Sequence, residues 1–321
     1  MQVTLAAVRE AQKFLRKYLP QSRLVEAPSL SRATGASVYM KLENELPTGS
    51  FKPRGALWAL SRRQARGPLR EVVASSTGNH GAAVAFAGKA LGVPATIFLP
   101  ENPNPVKRAR IAALGAKIIE EGTLDLAHAF QKAREYASSR EVYFLNDATD
   151  PDVPTGPATI ACEIFEQLKG VTSIYVPMGD TALIRGLAAA AKQLAAAIRI
   201  VGVQAERAPS YRLSWQKGEP VSTASCDTIA DGLATRTPDA DNVRVIRQLV
   251  DDIKLVTEQQ MLDAIEHLIM EEHIVAEPAG AAATAALLAE PPNSSGPAVA
   301  VVSGANIAPD VLRSAICAVD A

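Results

Sequence analysis

Short apolar runs alternate with helical patterns along most of the chain. Runs that read as strands lie at 37–43 (SVYMKLE), 71–77 (EVVASST), 95–100 (ATIFLP), 116–122 (AKIIEEG), 142–147 (VYFLND), 173–179 (SIYVPMG), 199–205 (RIVGVQA) and 298–304 (AVAVVSG). Alanine-rich stretches at 81–92, 106–116 and 126–139 carry helical spacing between them. This alternation predicts an α/β protein: two lobes, each a mostly parallel twisted sheet covered by helices. Several strands end in glycine or small polar residues and pass at once into a helix. Ligands of open α/β sheets bind at such carboxyl ends. The segment NDATDPDVPTGPAT (146–159), rich in Asp, Pro and Gly, reads as a boundary between the lobes.

Composition narrows the classes. A chain of 321 residues that is 48% hydrophobic can bury a large core. Its 33 basic and 34 acidic residues nearly cancel, which gives no reason to expect nucleic acid or an anionic membrane as partner. Cys162, Cys226 and Cys317 are scattered, with no CxxC, which fits reduced thiols in a cytoplasm. The N-terminus mixes charges at helical spacing, unlike a signal peptide. The stretch RGLAAAAKQLAAAIRIVGV is broken by Lys192, Gln193 and Arg199, so it reads as a helix and a strand, not a membrane span.

Three strand-to-helix turns could carry chemistry. In 74–92 (ASSTGNHGAAVAFAGKALG), hydroxyls, an amide and free helix-start N–H groups make a cradle suited to a carboxylate; an ordinary capped turn is the other reading. In 175–192 (YVPMGDTALIRGLAAAAK), the N–H groups from Gly179 to Leu183 could hold a phosphate, or simply start a helix. No GxGxxG or GxxxxGK[ST] is present, so neither a dinucleotide nor a P-loop nucleotide is indicated. In 301–310 (VVSGANIAPD), a strand ends in Ser-Gly-Ala-Asn, which is turn chemistry or a hydrogen bond to a ring nitrogen. Ahead of all three, SFKPRGA (50–56) sets Lys52 between Phe51 and Pro53, a rigid setting suited to a lysine that bonds a carbonyl.

The order of these segments, with AEPAGAA (276–282) before SGAN, resembles the pyridoxal-phosphate enzymes of the tryptophan-synthase-β fold, closest to the serine/threonine dehydratase and serine racemase branch. The resemblance runs from about residue 15 to about 315. It implies a cofactor, pyridoxal 5'-phosphate, in a cleft between a large domain (1–70 and 148–321) and a small closing domain (71–147). It implies that Lys52 forms the Schiff base and that Phe51 packs on the cofactor ring. Asn79 would bond the ring hydroxyl, and Gly179, Asp180, Thr181, Ala182 and Leu183 would form the phosphate loop. Gly232 would clear the ring face, and Ser303 would meet the ring nitrogen. Ser76, Thr77, Gly78, Asn79 and His80 would take the substrate carboxylate, with His80 equally readable as a structural histidine. Arg54 reads as structural.

Three departures from the family pattern, and one difference from the cysteine synthases, bear on function. The phosphate loop reads MGDTAL where the family has a run of glycines. Asp180 is therefore expected to point away from the phosphate, with Thr181 adding a hydroxyl. Thr77 stands where racemase-type members have a serine working opposite the lysine, which lowers the racemase reading. Gln204, Pro209 and Ser210 stand where divalent-metal members carry acids, so no metal site of that kind is expected; Glu277 remains, readable as helix capping. Asn79-His80 replaces the Asn-Thr of cysteine synthases, against β-replacement. The resemblance thus implies β-elimination from a small hydroxy amino acid, threonine or serine by default. The alternatives are a racemase, a dehydratase of a bulkier or acidic hydroxy amino acid, and a non-catalytic α/β binding protein. A cytoplasmic homodimer without a C-terminal regulatory domain is expected.

Overall fold

The computed structural model describes residues 3–76, 78–101, 105–121, 126–292 and 296–317. Ten strands lie within them: β1 (Leu24–Glu26), β2 (Val38–Leu42), β3 (Val72–Ser75), β4 (Ala95–Pro100), β5 (Lys117–Glu121), β6 (Tyr143–Phe144), β7 (Ser173–Pro177), β8 (Arg199–Ala205), β9 (Asp252–Val256) and β10 (Ala298–Val302). The helices are α1 (Leu5–Leu15), α2 (Pro28–Thr34), α3 (Lys52–Ala65), α4 (Asn79–Leu91), α5 (Pro105–Ala113), α6 (Leu126–Arg140) and α7 (Thr155–Gln167). They continue with α8 (Ala182–Leu194), α9 (Ser210–Lys217), α10 (Ala240–Leu249), α11 (Glu258–Met270), α12 (Pro278–Ala289) and α13 (Pro309–Ile316).

The strands form two sheets. A six-stranded sheet runs β1-β2-β10-β7-β8-β9, and only β1 is antiparallel in it. A four-stranded, all-parallel sheet runs β5-β4-β3-β6. Each strand-like run of the sequence holds a strand, usually trimmed at its ends. The sequence reading missed β1 and β9. β1 has three residues, too few for a period. β9 (DIKLV) pairs only with β8 and sets charges on an outer edge, as edge strands do.

Both sheets are covered on both faces, which is why β4, β7 and β10 are buried along their whole length. On one face of the larger sheet, α11 and α12 pack against Met40, Leu42 and Val203. On the other, α7 and α8 pack against Ile174, Val176 and Val301. In the smaller sheet, α3 and α4 cover one face and Ala133 and Ala137 of α6 the other.

A buried ionic group anchors α3. Arg54 donates to both carboxylates of the pair Glu43 and Glu163, at 2.7–2.9 Å, and Lys41 Nζ donates to Glu163 Oε2 at 2.7 Å. Two cations thus meet two anions in a place from which water is excluded. Burial works against the Arg54 charge, but Glu43 and Glu163 outweigh it and hold its pKa above the ordinary arginine value. Arg54 is structural, and it fixes the helix turn that carries Lys52.

Candidate active site

The carboxyl ends of four strands converge on one cleft. Phe51 N donates to Ser303 O at 3.0 Å, and Ser50 bridges Gly304, so the start of α3 is stitched to the end of β10. That stitching sets Lys52 at the mouth of the larger sheet. Opposite it, β3 ends in Ser75 and turns into α4 at Asn79, and β6 runs on to Asp147. β7 turns through Gly179–Thr181 into α8. Lys52, Ser75, Ser76, Gly78, Asn79, His80, Asp147, Asp180, Gly232, Thr235 and Glu277 all line one cavity of about 250 Å³.

Lys52 and Asp147 form an ion pair, Nζ donating to Oδ2. Burial opposes the ammonium, but Asp147, then Asp180 and Glu277, outweigh it and raise the lysine's pKa. Burial likewise opposes the Asp147 carboxylate, and the charges of His80 and Lys52 hold it well below the usual carboxylate range. His80 Nε2 lies 2.9 Å from Leu145 O, so that nitrogen carries the proton, and Nδ1 lies 3.7 Å from Asp147 Oδ2. Asp180 Oδ1 accepts from Thr235 Oγ1 at 3.0 Å; burial, then Asp147, raise its pKa.

Asn79 sits in a side-chain network. Its Nδ2 donates to Glu277 Oε1 at 2.6 Å and its Oδ1 accepts from Asn306 Nδ2 at 2.5 Å. Glu277 precedes α12 without a side-chain capping bond, so capping is not what its carboxylate does. Gly304 leaves room for that carboxylate, which a Cβ there would strike. Gly179 lies so close to the Gly232 carbonyl that no side chain fits.

The expected site residues are brought together in two groups. Lys52, Ser76, Gly78, Asn79, His80, Asp180 and Gly232 line the cavity. Phe51, Gly179, Thr181, Ala182, Leu183 and Ser303 are not among its lining residues. The Phe51 ring lies 5.3 Å from Lys52 Nζ and packs toward the core under β7. Ser303 Oγ faces Ala279 O at 3.4 Å. Thr77 lies outside the described residues. Asp180 and Thr181 are arranged opposite to expectation. Asp180 faces the cavity, held there by Thr235, whereas the Thr181 hydroxyl turns inward and accepts from Arg185 Nε at 3.0 Å. Thr181 holds a left-handed backbone, φ 68°, a strained state for a β-branched residue and the reason its side chain is thrown back.

Asp147, Ser75 and Thr235 were missed, Thr235 because it lay in no motif singled out. Asp147 lay in a stretch read as a lobe boundary; its place directly after an apolar run was the available signal. Ser75 was read as strand. Its Oγ is buried and has no hydrogen-bond partner among the described residues. An orphaned hydroxyl in a cavity wall suits a polar ligand. Gln204, at the position of the metal carboxylates, accepts from Arg212 N at 2.7 Å.

Comparison with known proteins bears on the family and the fold. A family described as pyridoxal-phosphate dependent enzyme matches residues 15–304. An L-threonine ammonia-lyase of Geobacter sulfurreducens is 36% identical over 301 residues, covering 94% of this chain and 75% of that protein. Processed threonine deaminase isoform 2 of Solanum lycopersicum superposes with a TM-score of 0.93 at 29% identity, covering 99% of this chain and 94% of the other. Maize serine racemase superposes at 0.92 and 27%, covering 99% and 98%.

Proposed function

The chain belongs to the family of pyridoxal-phosphate-dependent enzymes, and on that premise we propose that it is an ammonia-lyase acting on a small hydroxy amino acid, L-threonine or L-serine by default. The products are a 2-oxo acid and ammonia. The observation that carries this reading is Lys52 in the cavity wall, facing the orphaned Ser75 hydroxyl and the Ser76–His80 turn. The cavity's residues fit the cofactor: a primary amine, the close-set pair Gly179 and Gly232, and polar groups at strand ends.

Lys52 would hold the cofactor aldehyde, and its amine is the base placed to take the Cα proton. When bound, pyridoxal phosphate would supply the electron sink for the charge left at Cα. The turn at 179–183 would hold the phosphate, Asn79 the ring hydroxyl, and Ser303 the side of the ring nitrogen. Ser75, Ser76, Thr77, Gly78 and His80 orient the substrate carboxylate, and the segment 71–147 closes over it. Asp147, Asp180 and Glu277 line the pocket, which speaks against a substrate with a second carboxylate. Racemisation needs a second acid/base group across Cα. Thr77 carries that expectation, where racemase-type members have a serine; elimination is the reading kept because relatives 33–36% identical to this chain are named L-threonine ammonia-lyase or L-threonine dehydratase. Among the described residues no helix is long and apolar enough to cross a membrane. A cytoplasmic homodimer is part of the same proposal.

Two measurements test it. Borohydride reduction of the holoprotein should leave the cofactor on the peptide bearing Lys52. A screen of both enantiomers of several hydroxy amino acids should release 2-oxo acid from threonine or serine. Colourless protein after cofactor addition would favour a plain binding protein instead.

A further inference from the structure

Asp180 is an anomaly in this pocket. It follows Gly179 in the turn assigned to the cofactor phosphate, yet its carboxyl lines the cavity. Thr235 Oγ1 holds Oδ1, and no basic group lies within ion-pair distance of Asp180 among the described residues. The nearest cation, Lys52 of α3, is engaged with Asp147. Arg185 sits one turn into α8, but it spends its donors on Thr181 Oγ1 and Ala148 O, at 3.0 and 2.9 Å. From β6, Asp147 adds a like charge. His80 of α4 faces Asp147 rather than Asp180. Asp231 and Glu277 line the same cavity and add negative charge, and the Tyr211 phenol of α9 is neutral.

A phosphate dianion arriving at this turn meets a carboxylate that makes no ion pair among the described residues; Lys52 and His80 act on it only across the cavity. Two anions cannot share a poorly hydrated site. One group takes a proton, and the repulsion becomes a hydrogen bond. Rotation out of the cavity would break the bond to Thr235. We propose that Asp180 meets the cofactor phosphate as a neutral carboxylic acid, its O–H donating to a phosphate oxygen, so that cofactor capture takes up one proton at this side chain. The proposal rests on the reading above, that the cofactor sits on Lys52 with its phosphate at 179–183. Burial and Asp147 already raise the Asp180 pKa before any phosphate arrives, which makes the proton easier to take up.

The linkage has a definite sign. Below the pKa of Asp180 in the cofactor-free protein, affinity does not change with this group. Between that pKa and the higher one in the complex, the dissociation constant rises with pH by up to about tenfold per unit. Lysine condensation also shifts in Asp180→Asn, because Asp180 raises the Lys52 pKa, and that shift is shared by pyridoxal 5'-phosphate and pyridoxal. The divergence seen with the phosphorylated ligand beyond that seen with pyridoxal therefore isolates the Asp180–phosphate pair.

The experiment titrates protein stripped with hydroxylamine with pyridoxal 5'-phosphate, and separately with pyridoxal, from about pH 6 to 9. Binding is followed by near-visible absorbance. The expected result is that wild type and Asp180→Asn diverge as pH rises, wild type binding the phosphorylated ligand more weakly, by more than the divergence pyridoxal shows. A divergence no larger than that for pyridoxal overturns the proposal. Asp180→Gly should follow Asp180→Asn, which guards against one variant folding poorly. Calorimetry in buffers of different ionisation enthalpy should find up to one more proton taken up by wild type. Parallel curves for the phosphorylated ligand, with borohydride still trapping it on Lys52, overturn the Asp180 proposal alone. Failure of the wild-type protein to bind or trap the cofactor overturns the underlying reading and this inference with it.

Discussion

Lys52, at the first turn of α3, and Asp147, just beyond β6, form an ion pair across the cleft between the two sheets. The pair joins the ammonium at the cavity mouth to a carboxylate on the opposite side. It stabilises the ammonium, whereas condensation with an aldehyde requires the neutral amine. Asp147 thus governs how readily Lys52 reacts.

Replacing Lys52 by alanine removes both covalent anchor and base. Release of 2-oxo acid from threonine or serine should fall by at least the roughly 10²–10⁴-fold that a positioned base supplies. Near-normal turnover in a coupled dehydrogenase assay would contradict both roles.

Asp147→Asn removes the counter-charge while leaving the burial. The Lys52 pKa should fall, because burial is then opposed only by Asp180 and Glu277. Stopped-flow capture of the cofactor by the stripped protein should speed up at neutral pH, by up to about tenfold for each unit the lysine shifts. A rate profile unmoved, or moved to higher pH, would show that Asp147 does not control the amine.

Ser75→Ala separates binding from stability. The hydroxyl is buried and has no hydrogen-bond partner among the described residues, so its loss should leave the unfolding midpoint within about 0.5 kcal/mol of wild type or raise it slightly. If it orients the substrate, KM should rise while the fold is unharmed. Unchanged KM with lowered stability would assign Ser75 to packing.

The acidic wall predicts discrimination. Threonine or serine should exceed 3-hydroxyaspartate in kcat/KM by about 10²-fold or more, since juxtaposed like charges cost several kcal/mol. Asp147→Asn should narrow that gap. Equal turnover of the acidic substrate by wild type would refute the charge argument.

Arg54→Ala leaves Glu43 and Glu163 facing Lys41 alone. Breaking a buried ion network from one side costs about 3–5 kcal/mol, which chemical denaturation would register. A loss below about 1 kcal/mol would mean water reaches the cluster.

Periodicity and turn residues determined much of this protein. The apolar runs at 95–100 and 298–304 read as strands and fold as strands buried along their length, and SFKPRGA with GNHG pointed to Lys52 and the turn that lines the same cavity. These are local signals, because a strand's burial and a helix's first turn are written in consecutive residues. Asp147, the orphaned Ser75 hydroxyl and the opposite orientations of Asp180 and Thr181 were decided only by the tertiary structure. Each depends on a partner far away in the chain: Lys52 is 95 positions from Asp147, and Thr235 is 55 from Asp180. Which way a side chain points at a strand end is set by whichever distant group offers it a charge or a donor, and that meeting exists only once both sheets have folded against each other.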